Sequence, residues 1–284
     1  MDIDKIISEA LAEDLGDGDH SSLSTIPEDA KGEVVLIAKE EGIIAGIDIA
    51  RRVFKAVDNS VVFTAIKNDG DKVVPGDSIF EVSGKSQSLL SAERLALNFM
   101  QRMSGIATKT NYLTGLIKGL PCKLLDTRKT TPLLRELEKY AVKTGGGFNH
   151  RFGLFDMIMI KDNHIDFAGG IEKAIKAAHR YLKSTGKNLK IEIETKNPDE
   201  VMQVMNTGGV DRIMFDNFTP ELMRKAVKLV NGKYETEASG GITEKNIREY
   251  AGTGVDFISV GALTHHIKSL DMSLITKDKT NGKS

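Results

Sequence analysis

The spacing of apolar residues changes along the chain and predicts regions of different structure. Ile3, Ile7 and Leu11 recur at helical spacing and predict an N-terminal helix, which ends at the turn residues GDGDHSS. From 32 to 85, β-rich runs such as EVVLIAKE, SVVFTAI and SIFEVSG are separated by Gly, Asp and Pro, and ARRVFKAV is predicted as a short helix between them. This part of the sequence predicts a small α+β domain.

A long helical pattern over about 89–119, with Gly105 as its weak point, links this domain to a second region. After residue 120, short apolar runs alternate with amphipathic helical segments, which is typical of a parallel α/β fold. The predicted strands are CKLLD, DMIMIK, LKIEIE, DRIMFD, YETEA and DFISV.

Polar residues or glycine follow these strands at nearly equal intervals. Glu194 and Asp216 are 22 residues apart, Asp216 and Ser239 are 23 apart, and Ser239 and Gly261 are 22 apart. One strand and one helix account for such a repeat, which favours an incomplete β/α barrel of six or seven parallel strands. A doubly wound sheet is the alternative. In a barrel, the carboxyl ends of the strands meet at one mouth, so we expect these residues to converge there.

Composition excludes several classes of partner. The 284 residues include 39 Lys and Arg against 40 Asp and Glu, and the net charge of −1 lacks the basicity expected of a nucleic-acid-binding protein. The N-terminus is acidic and no run reaches about 18 consecutive apolar residues, so we expect neither export nor membrane insertion. The single cysteine, Cys122, cannot form an internal disulfide and fits a reducing compartment. We therefore expect a cytoplasmic protein.

Cationic residues are concentrated in three motifs, DTRKTTP at 126–132, GGGFNHRFG at 145–153 and IKDNHI at 160–165. Each cation follows an apolar strand or lies in a glycine-rich loop, and loops commonly carry function. Arginine binds a carboxylate through two hydrogen bonds and lysine supplies a point charge, so such a pocket suits a ligand with several carboxylates or phosphates. The cationic residues are Arg128, Lys129, His150, Arg151 and Lys161.

Two further groups are predicted at the same rim. Glu194 and Asp216 end adjacent strands, and carboxylates that face a phosphate-rich ligand suit Mg²⁺ or ribose hydroxyls, with acid-base work as a second interpretation. The motifs EASGGIT and SVGALT place Ser239, Gly240 and Gly261 after the last two strands. Backbone amides in such glycine turns approach a phosphate closely, as the last loops of β/α barrels often do.

These residues leave more than one class of protein open. A non-catalytic binder of anionic metabolites would use the cationic pocket without needing the acidic pair. Another barrel enzyme, such as a phosphosugar isomerase or aldolase, would share the phosphate loops without needing the cationic cluster. His265 and His266 lack suitably spaced partners and are interpreted as polar loop residues rather than a zinc site.

At DTRKTTP, HRFGLFDMIMIKDNHI, EIET, FDNF, EASGGI and SVGALT, the sequence resembles the quinolinate phosphoribosyltransferases, also called carboxylating nicotinate-nucleotide pyrophosphorylases. The resemblance extends over nearly the whole chain. It implies a pentosyltransferase of NAD biosynthesis that joins quinolinate to phosphoribosyl pyrophosphate with Mg²⁺ and yields nicotinate mononucleotide, pyrophosphate and CO₂. A related group of proteins associated with molybdate transport genes is the alternative within this resemblance.

The resemblance also implies an architecture and an assembly. An N-terminal α/β sandwich domain at 1–107 is joined by the C-terminal segment 265–284, and an incomplete β/α barrel occupies 108–264. Family members are homodimers or assemblies of dimers, and the active site is shared between subunits.

Roles for individual residues follow from the resemblance as well. The residues implied to bind the two carboxylates of quinolinate are Arg128, His150, Arg151, Lys161 and, from the neighbouring subunit, Arg94. Those implied to contact the ribose and pyrophosphate with Mg²⁺ are Lys129, Glu194 and Asp216, of which the last two are the implied metal ligands. Ser239, Gly240 and Gly261 would hold the 5′-phosphate. Lys161 or His150 would return a proton to C2 after CO₂ leaves, and the catalytic set is Lys129, His150, Lys161, Glu194 and Asp216.

Overall fold

The computed structural model describes residues 2–277, which group into two compact units. Unit 1 comprises 2–111, 131–146 and 266–277, and unit 2 comprises 112–130 and 147–265. The segment 131–146 therefore groups with unit 1, although it lies inside the range predicted for the barrel domain. Residues 278–284 of the predicted C-terminal segment lie outside the described residues.

Unit 1 contains the strands β1 (Lys31–Ala38), β2 (Gly42–Ile43), β3 (Val62–Ala65), β4 (Lys72–Val73), β5 (Ser78–Lys85) and β12 (Met272–Thr276). An antiparallel sheet joins four of them in the order β12-β1-β5-β3, and β2 pairs with β4. In this sheet Val34 lies opposite Val82, and Leu36 lies opposite Leu274. The last described strand is therefore an edge strand beside β1.

The helices of unit 1 are α1 (Ile3–Leu15), α2 (His20–Thr25), α3 (Ile47–Val57), α4 (Ser86–Leu116, whose last turn belongs to unit 2) and α5 (Arg135–Thr144). Asp2 caps the start of helix α1, and its side chain accepts hydrogen bonds from the first free backbone N–H groups. The helix buries Ile7 and Leu11. Helix α4 continues through Gly105 without a break. A Cβ atom at this position would lie 2.3 Å from the carbonyl oxygen of Lys268. Close backbone approach, rather than a helix break, explains this glycine.

Unit 2 contains the strands β6 (Lys123–Leu125), β7 (Ile158–Ile160), β8 (Ile191–Thr195), β9 (Arg212–Asp216), β10 (Glu235–Ser239) and β11 (Phe257–Ser259). They form one parallel sheet in the order β6-β11-β10-β9-β8-β7, so the first strand pairs with the last. Such an order belongs to a barrel and not to a doubly wound sheet. A single parallel bridge between Leu125 and Phe148 extends the ring beyond β6. No ladder joins Phe148 to β7 among the described residues, so the barrel is incomplete, as predicted.

The helices of unit 2 follow the strands as α6 (Asp162–Ala168), α7 (Ile171–Thr185), α8 (Pro198–Thr207), α9 (Pro220–Val230), α10 (Ile247–Ala251) and α11 (Ala262–His265). Asn197 and Thr219 cap α8 and α9 through their side-chain oxygens, and proline occupies the next position in both helices. Ile193 of β8 and Ile213 of β9 are fully buried. Across residues 2–277, no helix combines the length and the apolar character needed to span a bilayer.

Candidate active site

The carboxyl ends of the unit 2 strands surround a cavity of about 870 Å³. Every predicted site residue except Arg94 lines this cavity. Arg94 is an exposed residue of α4 in unit 1. The convergence expected from the 22-residue repeat is therefore present in the structure, and the individual roles stay predictions.

One wall of the cavity is cationic. Arg128 and Lys129 follow β6, His150 and Arg151 follow the bridge at Phe148, and Lys161 directly precedes α6. The Nη1 of Arg151 is 3.4 Å from the carbonyl oxygen of Met157, and its buried Nε has no hydrogen-bond partner among the described residues. Burial, and then repulsion from Arg128, lowers the pKa of Arg151. A bound carboxylate would offset both effects.

The neighbouring part of the rim is acidic. Glu194 and Asp216 lie at the ends of the neighbouring strands β8 and β9, and both line the cavity. The ammonium group of Lys161 forms an ion pair with Glu194. Two carboxylates on one rim are hard oxygen ligands, which fit Mg²⁺ that also binds phosphate oxygens.

A buried ionic cluster lies inside the barrel beneath this rim. His150 Nε2 lies 3.0 Å from Glu192 and 3.3 Å from Glu237, and both carboxylates are fully buried. Arg212 Nη1 is 2.7 Å from Glu237, and its Nη2 is 3.0 Å from Glu235. Barrel interiors are usually filled by branched apolar side chains, so this cluster departs from the common pattern.

The cluster shifts the pKa values of its members. Burial, and then Glu237, raises the pKa of Glu192. Burial also acts on Glu237, but His150 and then Arg212 outweigh it and lower its pKa. For His150, burial is outweighed by Glu192 and Glu237, which raise the pKa to about 9.

The hydrogen bond at Nδ1 of His150 is incompatible with the doubly protonated ring that the raised pKa alone would indicate. The backbone N–H of Arg151 points at this atom from 2.6 Å, and a protonated Nδ1 could not accept it. The ring proton is therefore assigned to Nε2. The His150 backbone N–H is also fixed, by Asp126 Oδ1 at 2.8 Å.

This cluster also has the residue types of a metal site, since His150, Glu192 and Glu237 bring three ligand atoms close together. However, Glu237 already accepts a hydrogen bond from the Arg212 guanidinium. A divalent cation would lie beside that positive charge and be repelled by it. The cluster is therefore better suited to sharing a proton between His150 and the carboxylates than to binding a metal ion.

Glycine turns form the remaining part of the cavity. Gly240 has φ +91°, and a Cβ atom there would lie 2.2 Å from Asn217 Oδ1. A Cβ atom at Gly261 would lie 3.0 Å from both His265 Nε2 and Lys129 Cδ. The Thr264 hydroxyl donates to the Lys129 carbonyl oxygen at 2.7 Å, which joins the turn after β11 to the DTRK loop. Close packing against these side chains therefore explains why glycine occupies both positions.

Sequence reasoning missed four residues of this region. His265 and Asn217 line the cavity, whereas His265 was interpreted as part of a polar loop. Its position at the end of α11, four residues after Gly261, was the available signal. Glu192 and Glu237 were missed because each lies inside a predicted strand rather than at its end.

The open barrel and the cavity at its mouth define a β/α-barrel protein whose ligand site combines a cationic wall with an acidic rim. Residues 19–104 match the family model described as quinolinate phosphoribosyl transferase, N-terminal domain. Residues 106–275 match the model of the C-terminal domain of the same transferase. The chain therefore belongs to the quinolinate phosphoribosyltransferase family.

Individual relatives agree with this assignment. The chain is 46% identical to the chloroplastic nicotinate-nucleotide pyrophosphorylase [carboxylating] of Oryza sativa, over 96% of this chain and 77% of the relative. It is 44% identical to a probable nicotinate-nucleotide pyrophosphorylase [carboxylating] of Bacillus subtilis, over 96% and 93% of the two chains. A solved structure of the nicotinate-nucleotide pyrophosphorylase from Francisella tularensis is similar with a TM-score of 0.92 and 44% identity, covering 97% of this chain and 96% of that one.

Proposed function

We propose that the protein transfers the phosphoribosyl group of phosphoribosyl pyrophosphate to quinolinate and releases pyrophosphate and CO₂, giving nicotinate mononucleotide for NAD biosynthesis. The observation that carries this proposal is one cavity with a cationic wall, an acidic rim and glycine turns. A dicarboxylate and a sugar phosphate need these three surfaces side by side. The family model over both parts of the chain supports the same reaction.

Quinolinate binds the cationic wall. Arg128 and Arg151 are the guanidinium groups that receive its carboxylates, and Lys161 adds a third positive charge. The half-buried Arg151, with an Nε–H that no described residue accepts, gains a hydrogen-bond partner from such a carboxylate. Arg94 completes the site from a second subunit of a homodimer.

Phosphoribosyl pyrophosphate binds across the acidic rim and the glycine turns. Glu194 and Asp216 hold Mg²⁺ and the ribose, while Lys129 contacts the pyrophosphate. The turns at Ser239–Gly240 and Gly261 hold the 5′-phosphate through backbone N–H groups. Mg²⁺ bound there would supply positive charge against the departing pyrophosphate.

Catalysis then needs positioning and electrostatics more than a strong base. The bond from C1 of the ribose to the pyrophosphate oxygen breaks, and the pyridine nitrogen forms a new bond to C1. The ring nitrogen becomes cationic, and its positive charge stabilises the electron pair that stays on C2 when the adjacent carboxylate leaves as CO₂. A proton then replaces the carboxylate at C2.

Lys161 is the proposed donor of that proton. Both ring nitrogens of His150 contact protein groups, with Nδ1 on the Arg151 N–H and Nε2 beside Glu192 and Glu237. The Lys161 ammonium group lines the cavity and is held by Glu194. His150 therefore acts by fixing the backbone of Arg151.

The location of the protein belongs to the proposal as well. The single cysteine fits a reducing compartment such as the cytoplasm. The relative from Oryza sativa is chloroplastic.

The test is to incubate the purified protein with phosphoribosyl pyrophosphate, Mg²⁺ and either quinolinate or nicotinate, and to follow nicotinate mononucleotide by mass spectrometry. Product from quinolinate alone is the expected result. Product from nicotinate alone would point to a transferase that does not decarboxylate its substrate. No product from either acid would contradict the proposal.

A further inference from the structure

We propose that Asn217 is a positioning residue that holds Asp216 and the Ser239–Gly240 turn in the geometry that binds phosphoribosyl pyrophosphate. This inference rests on the proposed function and adds a residue to it, because Asn217 belongs to none of the predicted sets. Asn217 lines the same cavity as these three residues.

The backbone of Asn217 fixes the ends of two neighbouring strands. Its φ of +56° lies in the left-handed region, which asparagine tolerates better than most residues other than glycine. In this conformation the Asn217 backbone N–H donates to the carbonyl oxygen of Ser239 at 2.9 Å. The residue after β9 is therefore tied directly to the end of β10.

The side chain of Asn217 acts on both predicted parts of the sugar-phosphate site. Its Nδ2 donates to Asp216 Oδ2 at 2.9 Å. A Cβ atom at Gly240 would lie 2.2 Å from Asn217 Oδ1, so the Ser239–Gly240 turn packs directly against the side-chain amide of Asn217. The amide thus orients the Asp216 carboxylate and supports the turn that would receive the 5′-phosphate.

The chemistry explains why an amide, and not a carboxylate, is needed here. An amide offers a donor to Asp216 and keeps the surroundings of the phosphate neutral. An aspartate of the same shape would place a second negative charge beside Asp216 and close to the phosphate turn. It would also remove the donor that fixes Asp216 Oδ2.

The test uses two substitutions at this position and one matched control. Asn217→Gly keeps the left-handed backbone and deletes the amide, and Asn217→Asp keeps the shape and changes the charge. Asn231→Gly is the control, because Asn231 also has a positive φ (+47°) but caps α9 and does not line the cavity. Titration calorimetry measures phosphoribosyl pyrophosphate binding at several Mg²⁺ concentrations, and separately quinolinate binding. Circular dichroism measures folding.

We expect both Asn217 variants to fold, to weaken phosphoribosyl pyrophosphate binding by about tenfold or more, and to need more Mg²⁺. Quinolinate binding should change by less than about twofold, and Asn231→Gly should match the parent. Parent-like binding and Mg²⁺ dependence in folded Asn217→Gly would overturn the inference and leave the proposed function intact. If Asn217→Asp failed to fold, the binding measurements on Asn217→Gly alone would test the role of Asn217. A parent protein that does not bind phosphoribosyl pyrophosphate would overturn both.

Discussion

Replacing Arg212 with methionine should destabilise unit 2 strongly, because it breaks the ionic cluster inside the barrel. The guanidinium group donates to the fully buried Glu237 at 2.7 Å and to the more exposed Glu235 at 3.0 Å. It also lies 4.0 Å from the centre of the Phe257 ring. Methionine keeps an unbranched apolar stem against that ring and removes the charge, the donors and the cation–π contact.

The magnitude follows from the burial of the two partners. Losing one member of a buried ion pair costs about 3–5 kcal/mol, because the other charge stays buried without compensation. The pair with Glu235 contributes at most about 1 kcal/mol, because Glu235 is 40% exposed in its side chain and is screened by water. Against a total unfolding free energy of about 5–15 kcal/mol, the expected loss of about 3–5 kcal/mol is large.

The assay is urea unfolding followed by circular dichroism, with Glu235→Gln as the matched control. The control removes the exposed partner of Arg212 and leaves Glu237 paired, so its loss should stay below about 1 kcal/mol. A loss below about 1 kcal/mol for Arg212→Met, or one equal to that of Glu235→Gln, would refute the importance of the buried pair.

The pH dependence of the loss gives a second check. In the parent, His150 and Arg212 outweigh burial and hold the pKa of Glu237 below its usual value. Glu237 therefore stabilises the parent above its unfolded-state pKa, and this stability is lost as the pH falls through the lower, folded-state pKa. Without Arg212 the folded-state pKa rises, so the difference between parent and variant should be largest above the variant's folded-state pKa and should shrink as the pH falls towards the parent's lower folded-state pKa. A difference that grew on acidification would contradict this assignment.

Three further variants test the parts of the cavity separately. Arg151→Lys should raise the quinolinate KM by about tenfold or more, because lysine cannot form the paired hydrogen bonds, while phosphoribosyl pyrophosphate binding measured by calorimetry stays within about twofold. Glu194→Gln should raise the Mg²⁺ concentration needed for half-maximal turnover while leaving quinolinate affinity nearly unchanged, and the reverse result in steady-state kinetics would contradict its predicted role. Gly240→Ala should weaken phosphoribosyl pyrophosphate binding and lower the free energy of unfolding by at least about 1 kcal/mol, since its Cβ atom would meet Asn217 at a positive φ. Parent-like binding and unfolding in Gly240→Ala would contradict this prediction and show that the Ser239–Gly240 turn accommodates a Cβ atom.

Much of the fold could be predicted because the strands of a parallel barrel are short apolar runs. All six predicted strands after residue 120 are present, and the end of each lies near the residue that its motif indicated. The interval from Glu194 to Asp216 was informative because one strand and one helix occupy a nearly constant length. The grouping of 131–146 with unit 1 could not be predicted, because α5 has the amphipathic pattern of any barrel helix.

The ionic cluster could not be predicted for a different reason. In IEIET the alternation of Ile191, Glu192 and Ile193 is also the pattern of a strand with one exposed face. Only the curvature of the sheet into a barrel turns that polar face into a barrel interior and places Glu192 beside His150. Likewise, the left-handed backbone of Asn217 accompanies a hydrogen bond to Ser239 on the next strand, a tertiary contact that the local sequence pattern does not reveal.

The central claim is that one cavity couples phosphoribosyl transfer to loss of the C2 carboxylate. The most direct measurement supplies quinolinate labelled with ¹³C in that carboxylate, together with phosphoribosyl pyrophosphate and Mg²⁺, and quantifies labelled CO₂, pyrophosphate and nicotinate mononucleotide. The account predicts equal amounts of all three and unlabelled nucleotide. Pyrophosphate release without labelled CO₂, or nucleotide that retains the label, would contradict it.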